Sequence, residues 1–171
     1  YHVMLPVMAR DILKVGAPGL GLLSASGGFG SMVSSLILAG LGDIKYKGTL
    51  MIANAAGSGV LLILFAFSPW YLVSLALVTL VSGALMAYDT TMGTLLQLLS
   101  SDEVRGRILG LYGLTFGFTQ VGGFLAGGVA ALLGAPIAIA LGGTLIVAYV
   151  VPGMKGIHTI GQVDPRPLQR H

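Results

Sequence analysis

One acidic side chain, Asp89, lies well inside an apolar stretch of the sequence. No charged residue occurs in Gly48–Tyr88 before it, and the next one after it is Asp102. A carboxylate inside a membrane span costs at least ~2.5 kcal/mol and usually faces a cavity or a partner group. Two interpretations stay open. Asp89 either takes up a proton or contacts a cation, or it is a structural group that is hydrogen-bonded to a neighbouring helix.

Six further polar side chains are candidates for a substrate or proton pathway. Ser82 precedes Asp89 by seven residues, so the two lie on nearly the same face of a helix with 3.6 residues per turn. The other candidates are Tyr88, Gln97, Tyr112, Thr115 and Gln120. Because amides and hydroxyls inside a bundle also bond to neighbouring helices, a packing role stays open for each of them.

No residue spacing is typical of an enzyme or of a metal site. The sequence has no cysteine, and its three histidines are isolated from one another. The segment Gly19–Ser24 has two of the three glycines of a dinucleotide-binding loop. It lacks the third glycine and the strand that precedes such a loop. We therefore expect no enzymatic activity, no cofactor and no metal. The nine Lys and Arg residues are spread over short segments and the tail, so a nucleic acid partner is not expected either.

The composition indicates a membrane protein that crosses the lipid bilayer several times. Of the 171 residues, 55% are hydrophobic and 9% are charged, and the mean hydropathy is +0.92. Charged residues are absent from Val15–Gly42, Gly48–Tyr88 and Ile108–Met154. One crossing needs ~20 apolar residues, so these runs hold one, two and two crossings, and a further one ends near Ser101.

Proline, glycine and charged residues divide the apolar runs into helices. Ser68-Pro69 and Gly134-Ala135-Pro136 interrupt long runs, and Ser100 with Glu103 matches a capping box at the start of a helix. The sequence therefore predicts an all-α six-helix bundle over residues 1–152, followed by a polar tail over 153–171. The predicted helices span about 1–9, 18–41, 49–67, 70–99, 101–133 and 136–151. The first is too short to cross a bilayer, so we interpret it as the outer end of a longer, truncated helix.

The positive charges fall unevenly on the two sides of this layout. Seven lie on one side: Lys45, Lys47, Arg105, Arg107, Lys155, Arg166 and Arg170. Only Arg10 and Lys14 lie on the other side. Because short cytoplasmic segments carry an excess of Lys and Arg, the tail and the segment around Asp43 are predicted to face the cytoplasm.

Glycine is concentrated in the second and fifth helices. The candidates for helix packing are Gly27, Gly30, Gly113, Gly117, Gly123 and Gly127. Small residues four apart let backbones approach closely in lipid. Two interpretations stay open: these glycines pack within one bundle, or the two helices move against a partner. Their equivalent places, three helices apart, also indicate an internal three-helix repeat.

Several segments resemble the second half of a major facilitator superfamily transporter. They include Leu5-Pro6-Val7, Ala9-Arg10-Asp11 and Leu41-Gly42-Asp43. The longest similar stretch joins Thr94–Leu99 to Asp102–Tyr112, and it resembles the branch that contains the bacterial enterobactin exporter and drug and macrolide efflux proteins. The similarity covers about Leu5–Val151 and corresponds to helices seven to twelve of a twelve-helix protein.

The resemblance implies proton-driven efflux of a small molecule, such as a siderophore or a drug, by alternating access in the bacterial inner membrane. It implies that an N-terminal six-helix half is the partner and that the second and fifth helices meet it. Asp43, Lys45 and Lys47 are carried over as a cytoplasmic gate, to which Arg105 and Arg107 contribute from the same side. In the gate segment Ala39, Ile44 and Tyr46 depart from the family pattern, and relatives often have Asn where Asp89 stands.

A second function class stays open beside the exporter. The chain would then be a non-transporting multi-span subunit or an assembly protein. Six further hydrophobic segments encoded upstream of Tyr1 would decide for the exporter.

The charge asymmetry predicts the topology of the chain. Reporter fusions placed after Lys47, Arg107 and Gln162 should be active on the cytoplasmic side, because the positively charged segments stay inside. Fusions after Lys14 and Pro69 should report the exterior. An inverted result at any of these five positions contradicts the layout.

Overall fold

The protein is a bundle of helices, seen in a computed structural model that describes the backbone of residues 1–41 and 47–160. Within these ranges the side chains of residues 47, 99, 102, 103, 116, 120 and 151–160 are not described. A short first helix, α1, joins the 3-10 turn His2–Met4, the α turn Leu5–Val7 and the π turn Met8–Ile12. The longer helices are α2 (Gly16–Leu41), α3 (Lys47–Ala66), α4 (Tyr71–Leu99), α5 (Asp102–Leu133) and α6 (Ala135–Ile160).

The predicted fold class is confirmed, since the described residues form six helices and no strand. Four of these helices are long and apolar enough to cross a membrane, and α6 contributes a shorter apolar stretch, Ala135–Val150. Helix ends differ by three residues or fewer from the predicted ends, except at the end of α6. The protein is therefore a multi-pass membrane bundle.

The predicted end of the sixth helix at Val151 is wrong. Helix α6 continues through Pro152 and Gly153 to Ile160. An interior proline removes one hydrogen bond and disfavours a helix, but neither Pro152 nor Gly153 ends α6. The remaining part of the predicted tail, residues 161–171, lies outside the described residues, as does the predicted segment 42–46.

The predicted capping box at Ser100 is also wrong. The residue before α5 is Ser101, which makes no side-chain capping bond. The Ser100 hydroxyl instead donates to the Leu96 carbonyl in the last turn of α4. Because Ser100 is extended and follows Leu99 directly, its hydroxyl lies nearer to the free carbonyls of α4 than to the first N–H groups of α5.

The first helix forms the centre of the hydrophobic core at one end of the bundle. Its buried residues Met4, Leu5, Met8 and Ala9 belong to one cluster. The surrounding members come from four other helices, namely Leu23 of α2, Leu62, Phe65 and Ala66 of α3, Leu77, Val78 and Val81 of α4, and Ala135 and Ile139 of α6. A short segment thus fills the space between helices that would otherwise enclose a void.

Two close helix crossings hold the long helices together. Where α2 crosses α4, a Cβ added to Gly30 would overlap the Thr79 carbonyl oxygen. Where α3 crosses α6, a Cβ on Gly59 would lie 2.9 Å from the Gly143 carbonyl oxygen, and a Cβ on Gly143 would lie 2.6 Å from the Gly59 carbonyl oxygen. Close packing of this kind holds helices together in lipid, because the lipid is as apolar as the side chains and no hydrophobic force drives the helices together.

Helices α5 and α6 are joined by a single residue, Gly134. Its φ is +90°, a conformation that costs little only for glycine. Pro136 follows in the first turn of α6, where its missing N–H removes no hydrogen bond. The chain therefore reverses direction between two long helices without a loop.

The α2–α4 crossing predicts a strong difference between two neighbouring glycines. Gly30→Ala should destabilise the bundle by about 1–3 kcal/mol, the usual cost of overpacking, because the new methyl group meets backbone rather than a flexible side chain. Gly28→Ala is the matched control, since a Cβ there meets nothing within 4 Å. Thermal unfolding in detergent measures both. Equal midpoints for the two variants would contradict the assignment of Gly30 to the contact.

Candidate functional site

The Asp89 carboxylate lies on α4 and faces α5. Its side chain lies close to the Tyr112 hydroxyl of α5, and it is exposed at the surface of the bundle. Of the charged residues with described side chains, Asp89 is the one that lies well inside a span. The site therefore consists of an exposed carboxylate with a hydroxyl of the adjacent helix beside it.

Two tyrosines extend the polar site toward α6. Tyr88 lies within electrostatic range of Asp89, of Tyr112 and of Tyr149 on α6. Tyr88 is half-buried, whereas Tyr149 is 87% exposed. The Tyr88 and Tyr112 phenols thus lie near the carboxylate and can donate hydrogen bonds to it, whereas Tyr149 lies near Tyr88.

An apolar cleft of about 520 Å³ opens beside Tyr88. Its walls come from α3, α4 and α6: Met51, Ile52, Ala55, Ser58, Leu85, Tyr88, Leu145, Ile146, Tyr149 and Val150. Few polar atoms reach it. The hydroxyl of Ser58, which is fully buried, already donates to the Ala55 carbonyl at 2.9 Å.

Ser82 is not part of the site around Asp89, although the two share a helix face. Ser82 is buried, and its hydroxyl lies 2.7 Å from the Tyr1 hydroxyl. The Ser31 hydroxyl donates to the Ser82 carbonyl at 3.4 Å, and a Cβ on Gly27 would lie 2.9 Å from Ser82 Oγ. These contacts place Ser82 in the packing between α1, α2 and α4.

The remaining pathway candidates do not converge on Asp89. Gln97 is exposed near the end of α4. Thr115 is exposed on α5 and donates to the Tyr112 carbonyl within its own helix. Gln120 also lies on α5, but its side chain is not among those described.

The predicted gate residues are placed only in part. Arg105 and Arg107 lie exposed in the first turns of α5, and the Arg105 guanidinium donates to the Ser100 carbonyl at 3.4 Å. Asp43 and Lys45 lie outside the described residues. Lys47 begins α3, and its side chain is not described.

The glycines of α5 have a different environment from those of α2. Gly27 and Gly30 are buried against α4. A Cβ added at Gly113, Gly117 or Gly127 would meet nothing within 4 Å. At Gly123 it would lie 3.2 Å from a methyl carbon of Val3. The first three glycines therefore do not pack against another described helix of this bundle.

Large apolar side chains are exposed along the same two helices. On α2 they are Leu22, Phe29, Met32, Leu36, Ile37 and Leu41, and on α5 they include Leu111, Leu114, Phe118, Phe124 and Leu125. None of the described side chains in the most apolar window of α5 is buried. Surfaces of this kind are covered by lipid or by another set of helices.

Several features around the candidate site could not be predicted from the sequence. The cleft, Tyr149 and the Gly59–Gly143 crossing were not predicted, because each depends on which helices are neighbours. The pair of adjacent glycines in α6, Gly142 and Gly143, was the available signal for the crossing. Among the described residues no group of three or more His, Asp or Glu side chains forms a metal site.

The proximity of Asp89 and Tyr112 predicts a hydrogen bond and an energetic coupling between α4 and α5. In a double-mutant cycle with Asp89→Leu and Tyr112→Phe, the coupling should be about 0.6–1.7 kcal/mol, the range of hydrogen bonds between membrane helices. The readout is the free energy of unfolding in detergent. A parallel cycle that pairs Asp89→Leu with Tyr149→Phe should give a coupling near zero. Equal couplings in the two cycles would show that the Tyr112 bond is not specific.

The comparison with known families agrees with this architecture. A family model described as transmembrane secretion effector, of the major facilitator type, matches residues 2–164, which include all of the described helices. No curated protein and no solved structure gives a match. Proteins of this type are membrane transporters rather than enzymes. The chain therefore belongs to the transmembrane secretion effector family of major facilitator transporters.

Proposed function

We propose that this chain forms one six-helix half of a secondary active exporter that works by alternating access. The observation that carries the proposal is the family match over residues 2–164, and the surface of the bundle supports it. Helices α2 and α5 expose large apolar side chains, and three glycines of α5 have no described neighbour. A second set of helices that packs on this surface would bury both.

The half corresponds to helices seven to twelve, with the polar tail in the cytoplasm of a bacterial cell. The support is the resemblance of Thr94–Leu99 and Asp102–Tyr112 to that half, together with the positive charges predicted for the cytoplasmic side. The partner is then an N-terminal six-helix half, and the protein lies in the inner membrane. Its substrate is a small molecule such as a siderophore or a drug.

Asp89 is the residue that we assign to proton coupling in this half. Its carboxylate is accessible at the surface of α4, as proton exchange requires, and Tyr112 holds it against α5. Protonation would remove the charge that accepts the tyrosine hydrogen bond, so the α4–α5 contact would respond to the proton. Helix α5 is one of the two helices that we expect to meet the other half, which would connect this contact to alternating access.

The gate is a further part of the proposal. Asp43 follows α2, and Arg105 and Arg107 begin α5, so all three belong to the side that we assign to the cytoplasm. Exposed ion pairs contribute only ~0–1 kcal/mol each. Even that difference moves a nearly balanced equilibrium between two conformations several-fold, which is sufficient for a gate.

Substitution of Asp89 by Asn tests the coupling role in the transporter that contains this chain. The amide keeps the size of the side chain and can still accept the tyrosine hydrogen bond, but it cannot be titrated. Asp89→Asn should therefore insert normally and lose efflux driven by a pH gradient, measured in liposomes between pH 6 and 8.

Asp89→Leu is the control for a structural role. If Asp89 only joins two helices, Asp89→Asn should export at the wild-type rate and Asp89→Leu should lower the yield or the thermal stability. That outcome removes the proton-coupling role of Asp89. Absence of any efflux by the wild-type transporter, with a range of apolar and charged small molecules, would contradict the exporter itself.

A further inference from the structure

We draw no further inference here: the strongest candidate, the apolar cleft that α3, α4 and α6 form beside Tyr88, carries none, because nothing in the structure shows what covers it.

Discussion

Close contact between helix backbones is the constraint on which the rest of this structure depends. In a bilayer an apolar side chain gains little by leaving lipid for protein, so helices associate where small residues allow their backbones to meet. The Gly30–Thr79 contact joins α2 to α4, and the Gly59–Gly143 contact joins α3 to α6. With the packing of α3 against α4, these crossings fix four of the long helices relative to one another. The position of Asp89 on α4 follows from that framework.

Helix α5 is attached in a different way. It lies mainly against α6 and makes a smaller contact with α4, where Tyr112 lies close to Asp89. Backbone contact is hard to break by a chemical change, whereas a bond to a carboxylate depends on the charge of that group. The bundle thus combines a framework of close backbone contacts with one helix whose smaller contact with α4 includes a carboxylate.

Much of the fold could be predicted from the sequence because each apolar run had a clear limit. Ser68-Pro69 and Gly134 mark real helix ends. An uncharged run of this length in a membrane has few alternatives to a helix, because its backbone hydrogen bonds must be made internally. Pro152 was misleading, since α6 continues through it to Ile160. The site was harder to predict. Ser82 and Asp89 share a helix face in any model of α4, but only the packed bundle shows that Ser82 contacts α1 and α2 while Asp89 contacts α5. Residues that act across helices, such as Tyr149, carry no signal of their own in one sequence.

The one-residue turn at Gly134 has a mechanical consequence. Two helices joined by a long loop can tilt independently, but a joint of one residue transmits the displacement of one helix end to the next helix. The start of α6 is buried in the core through Ala135 and Ile139, and its middle is in backbone contact with α3 at Gly143. The end of α5 at Leu133 is thereby joined to a packed part of the bundle, whereas its opposite end carries Arg105 and Arg107, which are exposed. Gly134 is therefore the point at which α5 is attached to the packed start of α6.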